Sequence, residues 1–123
     1  MKEDLLEKEI KKFMMILQQL AGLVLKNDFR ETLKIIDQQY DERLIDDFIS
    51  KDYFDFENRF ATKILAFQID LLYYRLLAEH KISRSDSTLI NKFLTAAQKF
   101  LTVNNTTFDI SLKMKTDEVK GWL

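Results

Sequence analysis

Acid–base or nucleophilic chemistry in this chain would have to start from His80, its single imidazole. A Ser/His/Asp arrangement would draw on Ser83, Ser85 or Ser87, which lie in the polar run Ser83-Arg-Ser-Asp-Ser. That run has the composition of a linker. Glu79 adjoins His80 in sequence but falls on another helical face. His80 therefore reads as a solvated histidine near a helix C-terminus, where the dipole favours a cation. Carboxylates are the next candidates. Asp37, Asp41, Glu42, Asp46, Asp47, Asp52, Asp55 and Glu57 crowd one stretch. Asp37 and Asp41, four apart, have the spacing to share a divalent cation. No EF-hand glycine and no Glu-x-x-His accompany them. The stretch thus reads as an acidic, solvated face, with Asp37 and Asp41 offered to a basic partner, and no metal site is assigned. A third constellation is Lys63, Asp70 and Tyr74, in one helical line with Tyr73 beside it. If buried, Asp70 needs a partner or a shifted pKa. The line is either the floor of a binding groove or a set of structural hydrogen bonds from a Tyr hydroxyl or a Lys amine.

Composition removes most other chemistries. The 123 residues contain no Cys, no Pro and two Gly. Disulfides, thiolate metal centres and Cys nucleophiles are excluded, and Gly22 and Gly121 are too far apart for a phosphate-cradling loop. Lys plus Arg total 19 against 20 Asp plus Glu, a net charge of −1. Nucleic-acid binders usually show a basic excess. Lys113, Lys115, Lys120 and Trp122 make only a modest basic tail, so no nucleic-acid partner is expected. Trp122 is expected to dock the last helix. No run approaches the roughly 18 apolar residues of a membrane span. The apolar stretch from Phe13 to Leu25 follows Glu3, Asp4, Glu7 and Glu9, where an export signal carries positive charge, so a cytoplasmic protein is expected.

The elements that must position these groups are helices. Apolar spacing predicts a single all-α domain over residues 1–123, a bundle of five to six antiparallel helices. The first runs from about Glu3 to Lys26 on a stripe of Leu6, Ile10, Phe13, Met14, Leu17, Leu20, Ala21 and Val24. Ile16 and Leu23 lie off that stripe, so a second face is covered by the domain or by a partner, including a second copy. The next helix opens at Phe29. A phase shift predicts a bend or short separate helix over residues 41–50. Tyr53, Phe54 and Phe56 are expected to plug the base of the core. The helix from about Asp55 to Lys81 carries two apolar arcs. Phe60, Ile64, Phe67 and Leu71 form one; Leu65, Ile69, Leu72, Tyr73, Leu76 and Leu77 form the other. A polar line of Lys63, Asp70 and Tyr74 and another of Gln68, Arg75 and Glu79 separate them. A helix apolar on two sides is packed on two sides, which places it centrally. Ser85 or Ser87 is expected to cap the next helix, with Lys92 and Lys99 on its exposed side. Thr106 and Asp109 suggest the start of a last helix. The alternation Phe108, Ile110, Leu112, Met114 also fits a strand, but a lone strand has no partner, and helix is preferred.

The segment Leu17–Asp37, "LQQLAGLVLKNDFRETLKIID", resembles the helix–turn–helix unit of tetratricopeptide (TPR) repeats. One helix ends at a polar turn and an aromatic opens the next. Residues 65–101 hold a second, looser pair. The order of elements is also similar to that of small bacterial helical proteins with a TPR-like arrangement. Thr32 stands where the repeat's second helix carries a small residue, and the closing proline is absent. The resemblance implies a helical scaffold that binds a peptide or protein, and it transfers no catalytic residue and no cofactor. The expected function is a non-enzymatic interaction module. The alternative is a small ligand-binding or enzymatic bundle with a pocket near Asp70 and Tyr74.

Overall fold

Side-chain caps open four of the helices of this proline-free chain, and left-handed residues close two of them. The computed structural model describes residues 2–84, 86–103 and 110–123, with side chains over 5–84, 86–102 and 110–123. Those residues form six helices and no strand: α1 (Lys2–Leu25), α2 (Phe29–Gln39), α3 (Glu42–Ser50), α4 (Arg59–Lys81), α5 (Ser87–Val103) and α6 (Ile110–Lys120). Asn27 adopts φ 59°. Its N–H reaches the Val24 carbonyl and the Asp28 N–H reaches that of Leu23, a Schellman closure of α1. Asp28 then caps α2 by accepting from the Glu31 N–H. Ser83, φ 62°, closes α4 in the same way onto His80 and Glu79. Asn58 caps α4 through the Ala61 N–H. The cap of α5 is Asp86, whose carboxylate accepts from the N–H groups of Thr88 and Leu89. This corrects the expectation of Ser87, which is already the first helical residue. A carboxylate that accepts two amide protons at a helix N-terminus also meets the dipole better than a neutral hydroxyl. Ser85, Thr106, Phe108 and Asp109 lie outside the described residues.

α4 is the hub. It packs against α1, α2, α3 and α5, and ten of its residues are buried. Its two apolar arcs enter two cores, as the wheel predicts. Phe67 and Leu71 join Leu20 of α1 and Ile36 of α2, with Phe13 stacked on Phe67 at 4.4 Å. Leu65, Ile69, Leu72, Tyr73, Leu76 and Leu77 join Ile45, Phe48, Ile90, Phe93, Ala96, Ala97 and Phe100 of α3 and α5, with Leu112 and Val119 of α6. Full burial of each such Leu, Ile or Phe contributes about 1.5–3 kcal/mol. Phe54 and Phe56 close the base of this core against Phe48 and Phe100. Tyr53 does not join them and is exposed. Alternation around the adjacent Phe54 and Phe56 turns its ring outward.

The partner residues set helix directions. Phe56 meets Phe100 and Tyr73 meets Phe93, so α4 and α5 are antiparallel. Asp70 meets Lys115 and Tyr73 meets Glu118, so α6 runs parallel to α4. The predicted separate helix over 41–50 exists as α3. Lys92 and Lys99, expected on an exposed side, face it instead. The Lys92 ammonium bridges Glu42 at 3.1 Å and Asp46 at 2.7 Å. The Lys99 ammonium takes the carbonyls of Phe48 (2.6 Å), Ile49 (3.4 Å) and Lys51, and lies 5.0 Å from the Phe48 ring centroid. One lysine thus holds carboxylates on the first turns of α3, and the other satisfies its last carbonyls, which have no partner within the helix.

Candidate functional site

Asp70, Tyr73 and Tyr74 are brought together on α4, under α6. The Asp70 carboxylate accepts from the Lys115 ammonium at 2.9 Å. That ammonium also lies 5.2 Å from the Tyr73 ring centroid and 5.8 Å from that of Tyr74. The Tyr73 hydroxyl donates to Glu118 Oε2 at 2.9 Å. Burial first, and then this donated hydrogen bond, push the Tyr73 pKa up from its ordinary value. Lys63 is exposed and stands almost two turns before Asp70, outside this cluster. Six residues beyond Tyr74 the His80 ring stacks on Trp122 at 4.4 Å, so the tryptophan docks the C-terminal end of α6. The second polar line of α4 faces the other way. The carboxamide of Gln68 is buried. It donates to the Gln39 carbonyl at 3.0 Å and accepts from the Asp41 N–H at 2.8 Å. Arg75 pairs with Glu79 at 3.1 Å.

The acidic stretch has a mixed fate. Asp37 is exposed on α2. Asp41 caps α3 by accepting from the Leu44 N–H. Among the described residues, no group of three His, Cys, Asp or Glu side chains is arranged to hold a metal ion. An open groove of about 280 Å³ runs along the α3–α5 contact, lined by Asp46, Ile49, Thr88, Asn91, Lys92 and Thr95. No helix among the described residues is long and apolar enough to cross a membrane.

α1 differs from every other helix. Among its described side chains Leu20 alone is buried. Ile16 packs with Phe13 and Leu17 onto the Leu20–Phe67 core, so the domain itself covers it; Leu23 is half-buried. Met14, expected in the buried stripe, is 56% exposed, and Met15 and Leu25 are 68% and 85% exposed. On the ~100° wheel Phe13 and Leu20 point one way, and Met15, Gln18 and Gly22 point the other. Gly22 leaves open space there: beyond the backbone of its own helix, a Cβ added to it would meet no atom of the described residues within 4 Å.

No protein-family model matches the chain, and neither a curated protein nor a solved structure matches it. Two features of the sites escaped the sequence reading. The first is the pairing of Lys115 and Glu118 with Asp70 and Tyr73. The signal was present as two i,i+3 pairs of complementary chemistry, which meet rung by rung once α6 runs parallel to α4. The second is the adjacent pair Met14 and Met15, which no single buried stripe accommodates.

Proposed function

We propose that this chain is a non-enzymatic interaction module that engages a protein or peptide partner, or a second copy of itself, through a helical surface. The observation that carries this reading is the outward face of α1, where Met14, Met15 and Leu25 stand in solvent on a helix that packs on the core through Phe13, Ile16, Leu17 and Leu20. Methionine suits such surfaces because its flexible thioether adapts to an apolar partner. The space above Asp70, where a ligand-binding bundle would need a pocket, is taken by the Lys115 side chain. The TPR-like helical hairpins read from the sequence point the same way. The proposal includes a cytoplasmic location, and the net charge of −1 disfavours nucleic acid as partner.

The test is affinity capture from source-cell extract with the tagged wild type and the double variant Met14→Lys/Met15→Lys. Both positions are exposed, so the fold should be retained. The expected result is a protein, whether foreign or an untagged copy, recovered with the wild type and lost with the variant. Equal recovery with both would refute this surface.

A further inference from the structure

No further inference is drawn: the strongest candidate, the open groove along the α3–α5 contact between Ile49 and the Thr88, Asn91 and Thr95 side chains, carries nothing because its charged groups, Asp46 and Lys92, pair with each other and nothing in the structure shows what covers it.

Discussion

The bend between α2 and α3 depends on one buried carboxamide, and Gln68→Leu should show how much. Gln39 ends α2 and Asp41 caps α3. The Gln39 carbonyl and the Asp41 N–H both turn inward onto the Gln68 side chain, at 3.0 and 2.8 Å. Leucine matches the volume of Gln68 but offers neither partner, and its bulk keeps water from replacing them. A buried donor or acceptor left unsatisfied costs about 1–3 kcal/mol. Both backbone groups are only part-buried, so the pair should cost about 2–4 kcal/mol. That is a large fraction of the 5–15 kcal/mol usual for a domain. In urea the midpoint should fall by about 1–3 M, followed by far-UV circular dichroism and by the fluorescence of Trp122. Gln98→Leu on the exposed side of α5 serves as control and should stay within about 0.5 kcal/mol. A Gln68→Leu midpoint equal to that of the control would refute the view that this carboxamide holds the bend.

Ser83 carries a left-handed φ of 62°, which costs a side-chain-bearing residue roughly 1–2 kcal/mol. Ser83→Gly should therefore raise the melting temperature by about 3–6 °C, measured by thermal circular dichroism; no gain would argue against strain there. Lys99→Met keeps the apolar stem over Phe48 and removes the donor to three carbonyls. It should destabilise by about 1–3 kcal/mol and speed hydrogen exchange most in α3. Uniform acceleration across the chain would contradict the latch. The pKa values of Tyr73 and Lys92 are both raised in the fold, Tyr73 by burial and Lys92 by its hydrogen bond to Asp46. Each contributes stability that is fully present below its unfolded pKa, near 10 for both, and is lost as pH rises toward the folded value. Urea midpoints should hold to about pH 9 and fall by about pH 11, with a shallower fall in Tyr73→Phe. An equal fall in that variant would exclude Tyr73 as a source.

What the sequence revealed of the fold follows from which forces are local. The two apolar arcs of α4 describe one helix, and they named both cores before any neighbour was placed. The break at residues 40–41 showed as a phase shift within a single segment. The cap at Asp86 was mislocated by one residue because Ser and Asp compete for that role and only backbone geometry decides. Met14 and Ile16 were exchanged for a different reason. Both fit the three-and-four spacing around Leu20, and the choice depends on where α2 and α4 lie. Lys92 and Lys99 read as solvated because nothing near them in sequence is acidic. Their partners lie about fifty residues earlier, on α3 and its C-terminal end. Asp70 was singled out as needing a partner, but which group supplies it depends on α6 lying parallel to α4. Gly22 was legible only as a count, and the open space beside it needed coordinates.

The methionine methyl groups offer the most direct reading of the surface assigned here to interaction. Met14 and Met15 stand on the outward face of α1, while Met114, 66% exposed on α6, is an internal control. In the methyl spectrum of methionine-labelled protein, Met14 and Met15 should shift and broaden as source-cell extract or unlabelled protein is added, with Met114 unmoved. Movement of Met114 alone, or of no methionine at any concentration, would contradict the assignment of the α1 face.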